Sequence, residues 1–529
     1  MKTGTFLALA VAVATALTAA PLEARTLRWA RSQDSTTLDP HAANTGPNHL
    51  LAHHIYEPLV VRDFQGRQRP ALATEWRVLP SDPNVWEFRL RQGVRFHDGS
   101  PFTATDVVFS LERAMQPAAD MKSLLVSVES VTRVDDFTVH IRTRGPNALL
   151  VNNLTDLFMM SRAWAEANNA TQTQNLRERT ENFATRNANG TGPFMLVSRE
   201  PDVRTVLRRF DGYWGNATAR HDITEIVYRP IRENATRVAA LLSGEVDYVQ
   251  DLPVQDIARL QQTQGIRVVS GPENRVIFFG MHVGRPQLRA SDVQGRNPFA
   301  DRRVREALNL AINREAIQRV VMRGQSVPVG VLLTPFVNGW TTELGSPPRV
   351  DQARARALLS EAGYPNGFSV TLHCTNDRYV NDEGICQAVV GMLGQVGVRV
   401  TLVAQSLSVH FPAIQREEYD FYLLGWGIPT FDSHYIFHDL YQTRSQTSGT
   451  WNGTGFTNPR LDAAFTALNS ETNAEARNTS IARIWEELQR EVISLPIHTQ
   501  NIAYAMREGW DIPVDVSNQP KMHLLGIAQ

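Results

Sequence analysis

Phe368-Ser369-Val370-Thr371-Leu372-His373-Cys374 alternates apolar with polar side chains, and Val398-Arg399-Val400-Thr401-Leu402 repeats the pattern. Period two marks half-buried strands. Between the two lies a stretch from about Glu383 to Leu393 with helical spacing, and a third apolar strand follows at Phe421 to Trp426. Strand, helix, strand in that order predicts an α/β lobe with parallel pairing. Ligands of such lobes sit beyond the carboxyl ends of the strands, and Gly425-Trp426-Gly427 falls at such an end.

Working outward, Val304, Ala307, Leu308, Ala311 and Ile312 recur at helical spacing, and Asp351 opens a second helix through Ala355, Leu358 and Leu359 that Gly363 can end. Nearer the start, Trp86, Phe88 and Leu90 alternate with Glu87, Arg89 and Arg91, which predicts a strand running through Val94 to Phe96. The turn His97-Asp98-Gly99-Ser100-Pro101 leads into Thr103-Ala104-Thr105-Asp106, whose Thr and acid three residues on cap a helix through Val107, Leu111 and Ala114.

The chain has 529 residues, enough for roughly three packed units without metal or disulfide support. Its 53 basic and 54 acidic side chains nearly cancel, which removes the electrostatic footprint of nonspecific nucleic-acid or anionic-membrane binding. Only Lys2, Lys122 and Lys521 are lysines, so the cations are almost all arginine. Lys2 precedes an apolar stretch from Phe6 to Leu17, too short to span a bilayer but suited to a secretory signal. Residues 1–24 are expected to be removed on export, with cleavage after Ala24 preferred over cleavage after Ala20. No cysteine near either position could carry a lipid anchor. Cys374 and Cys386 are the only thiols, and in an oxidising compartment a local disulfide is preferred over two separately buried thiols, with a metal pair weaker still.

No Gly-x-Ser-x-Gly elbow, His-Glu-x-x-His or Walker loop occurs, so no catalytic residue is assigned. Gly190-Thr191-Gly192-Pro193 lacks a third glycine and reads as a loop feeding a strand at Phe194 to Val197. His49, His53 and His54 have a spacing that could ligate a metal, but solvated or satisfied histidines on a helix near the surface are the plainer reading, and no metal or cofactor is assigned.

Pro70-Ala71-Leu72-Ala73-Thr74-Glu75-Trp76, the run Trp86 to Gly99 and Thr105-Asp106-Val107-Val108-Phe109-Ser110 together resemble the signature of the family 5 extracellular solute-binding proteins. These are the dipeptide-, oligopeptide- and nickel-binding components of ABC importers. Blocks at Gly190–Phe194, Phe210–Gly215, Leu242–Asp247, Val304–Arg314 and Gly455–Asp462 continue the likeness in the family's order.

That resemblance implies an α/β, two-lobed periplasmic-binding-protein clamshell with an additional α+β domain II. Domain I would comprise 25–56, 191–285 and 500–529, domain II 57–190 and domain III 286–499. It implies a periplasmic, non-enzymatic monomer that closes over a peptide-like or similarly polar solute and delivers it to a membrane permease, with no nucleic-acid partner. A periplasmic hydrolase or a nickel-type metal-chelate binder is the alternative. By the same likeness, Asn44, Thr45 and Gly46 reach the ligand from domain I, and Arg378 takes its carboxylate. Gly425, Trp426 and Gly427 supply a backbone edge with an apolar wall. Pro429 stands where dipeptide binders have the aspartate that grips the ligand ammonium, and Asp432 aligns with a family aspartate that either meets another end of the ligand or caps the next helix.

Overall fold

The computed structural model describes residues 25–525, apart from 177, 218–220, 377 and 446–447. The expected export segment, 1–24, lies outside the described residues.

The α/β reading around Phe368 holds in detail. Ser369–Thr375 pairs in parallel with Arg399–Gln405 and with the start of Phe421–Gly427, and the helix Asp382–Gly394 forms the crossover. Phe421–Gly427 is buried on both faces and reads as a nearly continuous apolar run, whereas Ser369–Thr375 keeps the alternation its sequence shows. Ile277, Phe279, Leu372 and Leu423 pack into a core on one face, and Val276, Phe278, Tyr422 and Leu424 into a core on the other. The helix Arg302–Ala311 buries Val304, Ala307, Leu308 and Ala311, and Asp351 caps the helix Gln352–Glu361, as their spacing predicts.

These three strands are one end of an eleven-stranded sheet that runs through both halves of the molecule. At the far end, Arg25–Arg31 pairs in parallel with Ile223–Pro230 and Tyr248–Val249, over a core containing Leu27, Trp29, Tyr228 and Tyr248. Two long antiparallel strands, Ile266–Met281 and Ser494–Arg507, join the ends. The first carries Phe421–Gly427 along its Arg275–Met281 half, while the second meets Tyr248–Val249 through Met506 and Ala505. Each therefore begins in one lobe and finishes in the other.

A separate four-stranded antiparallel sheet, ordered Ala73–Leu79, Asp82–Leu90, Thr138–Thr143, Val128–Asp135, packs against the helix Ala104–Ala114. That is the additional α+β unit. The helix begins with the expected capping box, Thr103 accepting from the Thr105 N–H while the Asp106 carboxylate takes the Thr103 N–H at 2.9 Å. The strand predicted to reach Phe96 ends instead at Leu90, where a turn at 92–93 interrupts it. Val94 and Phe96 stay buried in the same core, which is why their pattern reads as strand. No helix among the described residues is long and apolar enough to cross a membrane.

Candidate ligand-binding cleft

The ladder between the two long strands breaks at one level. Pro272 pairs with Asn501 and Val276 with Thr499, leaving residues 273–275 outside the regular register. A polar run in the middle of a strand frees side chains to reach across the gap. Arg275 Nε donates to Glu273 Oε1 at 3.1 Å, Gln500 Nε2 donates to Glu273 Oε2 at 2.6 Å, and the Val380 N–H donates to Gln500 Oε1 at 3.1 Å. The break is thus wired to the turn that leaves the strand Ser369–Thr375.

That turn is held by Asp382, whose carboxylate accepts the N–H groups of Arg378 and Tyr379 at 3.1 Å each and of Glu383 at 3.0 Å. Two cations flank its Tyr379 ring: the guanidinium of Arg378 from the turn and that of Arg275 from the long strand lie 5.2 Å and 6.0 Å from the ring centroid. The first lobe contributes Arg31 and Asp251. Arg31 Nε donates to Asp251 Oδ2 at 3.0 Å, and Ser32 Oγ and Asn518 Nδ2 complete the carboxylate at 2.7 and 3.1 Å.

Burial opposes every one of these charges, and the partners decide the result. Desolvation pushes the Asp251 carboxyl up, but Arg31 and the Ser32 and Asn518 hydrogen bonds hold it at about 2. Burial likewise works against Arg275, and Glu273 outweighs it, leaving the guanidinium above its ordinary value. Arg378 goes the other way: burial, then repulsion from Arg275 and more weakly from Arg31, moves it below the ordinary arginine value. Among the described residues, no carboxylate pairs with the Arg378 side chain.

Of the residues anticipated from sequence, Arg378, Gly425 and Gly427 come together here. Gly427 stands opposite Arg275 in the ladder, and the Gly425 carbonyl accepts the Tyr379 hydroxyl at 3.1 Å. A Cβ on Gly425 would fall 2.5 Å from the Tyr379 ring, so the close approach that this glycine permits is to Tyr379. Strand alternation turns Trp426 to the opposite face, where it stacks on Tyr435 at 5.6 Å and meets Trp451 edge-on at 5.7 Å. Its Nε1 is buried without a partner among the described residues.

Asp432 does not offer itself to a ligand. Arg477 grips both of its oxygens at 2.6 and 2.8 Å, Asn338 adds 3.2 Å, and the His434 N–H takes the cap of the helix Ser433–Ile436 at 2.8 Å. Asn44, Thr45 and Gly46 lead into the helix Gly46–Ile55. Their side chains bond within the protein: His49 Nε2–H donates to Asn44 Oδ1 at 2.9 Å, Thr45 Oγ1 donates to Asn48 at 2.8 Å, and Asn44 Nδ2 reaches the distant Ser123 at 3.5 Å.

The three histidines of that helix are buried, not near the surface, because the helix packs under Phe158 and Trp29. His53 is bonded to Asp156 at 2.8 Å, and His54 Nδ1–H donates to the Leu50 carbonyl at 2.8 Å. Burial drops their pKa values to about 4 and about 3. No group of three or more metal-ligating side chains occurs among the described residues. Cys374 and Cys386 form a disulfide between strand and crossover helix, wholly inside the core.

Sequence reasoning missed Arg31, Asp251, Glu273, Arg275 and Gln500. The readable signal was Glu273-Asn274-Arg275 ahead of Val276-Ile277-Phe278-Phe279, a charged interruption of an apolar strand. Its partner strand lies more than 200 residues later, so nothing local announces the gap.

Comparison with known proteins agrees with this architecture. The family model for bacterial extracellular solute-binding proteins, family 5 Middle, matches residues 67–448. The glutathione-binding protein GsiB of Shigella dysenteriae is 27% identical over 491 residues, covering 90% of each chain. Its counterpart in Pectobacterium atrosepticum is 29% identical over 449 residues, covering 83% of this chain and 82% of the other. The ABC transporter substrate-binding protein CtaP of Listeria monocytogenes superposes with a TM-score of 0.80 at 19% identity over 94% of this chain and 99% of that one. A dipeptide-binding protein of Pseudoalteromonas sp. SM9913 in complex with Met-Leu gives 0.76 at 22% over 94% and 99%. At such identities the two structures speak for the fold alone. With two lobes, a polar gap between them and a family match over most of its length, this chain belongs to the family 5 bacterial extracellular solute-binding proteins.

Proposed function

We propose that the protein is the periplasmic receptor of an ABC importer: it closes over a small peptide-like or similarly polar solute bearing a carboxylate and hands it to membrane permease subunits without altering it. In this reading residues 1–24 direct export, the mature chain is an unanchored monomer, and the lobes correspond to domains I (25–56, 191–285, 500–529), II (57–190) and III (286–499). The solute's carboxylate docks on Arg378, and its main chain lies along Gly425–Gly427, with Trp426 as a wall. Asn44, Thr45 and Gly46 approach from domain I on closure.

The observation that carries this reading is Arg378, a half-buried cation beside Arg275 with no carboxylate partner among the described residues. An unpaired charge held between two lobes is costly unless a counter-charge arrives. The glutathione-binding relatives add support for a solute of peptide character. The test uses protein unfolded and refolded to strip carried-over solute. A carboxylate-bearing peptide at saturating concentration is expected to raise Tm and shrink the radius of gyration in X-ray scattering. No stabilisation across a broad peptide panel at millimolar concentration would end the proposal, and product formation in place of stoichiometric binding would replace it with a hydrolase.

A further inference from the structure

Besides the two long strands, the lobes meet at a small hairpin. Val60–Arg62 pairs with Gln68–Pro70, and Phe64 in the connecting loop shares the core of the first lobe with Trp29 and Tyr228. Across from it stands the turn 428–431, which continues the cleft strand Phe421–Gly427 and shares a core with Trp426 through Ile428. Arg62 spans the two. Its Nη1 donates to the Gly66 carbonyl at 2.9 Å and its Nη2 to the Thr430 carbonyl at 3.1 Å, and the guanidinium lies 4.2 Å from the Phe431 ring centroid. Burial pulls this cation down to about 10, with Asp156 and Asp63 offsetting part of the cost.

Both surfaces are shaped for the contact. Gly66 takes a φ of +80°, and a Cβ there would fall 2.1 Å from the Phe431 ring, so the hairpin seats that ring only because the residue is glycine. Phe431 is itself left-handed, at a φ of 55°, a conformation that a bulky side chain keeps only where its surroundings hold it.

The same turn is tied to the break in the long strands. Asn274 donates through Nδ2 to the Ile428 carbonyl at 2.7 Å, and its own carbonyl accepts the Ile428 N–H at 3.2 Å. The Asn274 N–H donates to the Val516 carbonyl at 2.6 Å, and the Val516 N–H donates to the Phe64 carbonyl of the hairpin loop at 3.1 Å. Break, Val516, hairpin and turn thus close a ring of contacts, and the cleft strand enters it where Gly427 meets Ile428.

We infer that this hairpin positions the binding site: Arg62 and Gly66, by seating Phe431, set where the Gly425–Gly427 edge stands relative to the first lobe and hold it there around a solute. The inference rests on the proposed receptor role. Without the seat, Arg378 and the cleft strand keep their own contacts, but fewer molecules hold both lobes in the arrangement that binds, and affinity falls by that fraction. The loss belongs mainly to the release rate, since escape needs the lobes to part.

The test uses Arg62→Met, which keeps most of the volume, and Phe431→Gly, which removes the ring at a backbone conformation that glycine adopts freely. The probe is whichever di- or tripeptide raises Tm of the refolded wild-type protein most. Titration calorimetry and stopped-flow release are expected to show each variant binding about tenfold more weakly and releasing about tenfold faster, with association changed less than about twofold. Because both variants remove one contact, the double variant should release no faster than either alone. Unchanged affinity and release in either folded variant would overturn the inference while leaving the receptor role standing, and so would additive effects in the double variant, which would mark two separate lesions. If no peptide stabilises the wild-type protein, the receptor reading of the cleft falls and the inference falls with it.

Discussion

Arg378 and Asp432 both stand out in the sequence as charged residues following apolar strands, and the structure gives them opposite work. Asp432 has every oxygen engaged by Arg477, Asn338 and the helix cap. Replacing it with Asn leaves Arg477 buried without its counter-charge, so Asp432→Asn is expected to lower unfolding stability by about 3–5 kcal/mol with solute affinity unchanged. Arg378→Ala should do the reverse. It removes a cation that no carboxylate among the described residues pairs with, leaving Tm of the empty protein equal or higher, while a carboxylate-bearing solute binds about tenfold or more weakly, the worth of a charge-assisted hydrogen bond. Urea denaturation and calorimetric titration on the two variants separate these outcomes, and a loss of affinity in the Asp432 variant alone would exchange the roles. The difference between the residues was not legible locally, because Arg477 lies 45 positions beyond Asp432 on another helix.

At the scale of elements, local chemistry carried most of the prediction. The crossover helix was expected over about 383–393 and runs Asp382–Gly394; the capping box at Thr103 and the cap at Asp351 start their helices where the residues place them. Caps and alternation depend on neighbours within four residues, so a single sequence displays them. The facing of Trp426 away from Tyr379 follows from the same alternation, but only once the partner strand is known to be Arg275–Met281. The disulfide is an element-scale tie, fixing the strand Ser369–Thr375 to its own crossover helix across a separation of 12 residues. Closing so short a loop contributes about 3 kcal/mol through the unfolded chain. The double variant Cys374→Ala, Cys386→Ala should therefore melt measurably lower, while retaining its solute affinity because neither sulfur reaches the cleft. An unchanged Tm would show the bond to be energetically idle.

For the whole molecule, pH should act mainly through buried histidines. His41, His53, His97 and His434 are depressed to about 4, and His54 and His498 to about 3, in each case chiefly by burial. These groups stay neutral in the fold but take up protons when it opens, so the stability they support is present above the ordinary histidine value and is lost as pH falls from about 6.5 toward 4. Each such group is worth about 2 kcal/mol between pH 7 and pH 5, and a fraction of the total lowers Tm by about 5 °C or more. Glu57 has the opposite sign: burial raises its carboxyl to about 7 despite hydrogen bonds from Trp214, Thr191 and Tyr213, so its contribution is largest in acid and fades as pH rises through 7. A melting series from pH 5 to 8 is expected to fall on the acid side, and a flat or rising acid limb would contradict the buried, neutral state of the histidines.

The paired strands that pass between the lobes set a mechanical limit on all of this. They remain bonded to each other above and below residues 273–275, so they can crease together at that level but cannot slide past one another. Bending at that level leaves the register on either side of it intact. Substitutions along the cleft walls away from Glu273 and Gln500 can therefore retune what is held while the paired backbone stays as it is.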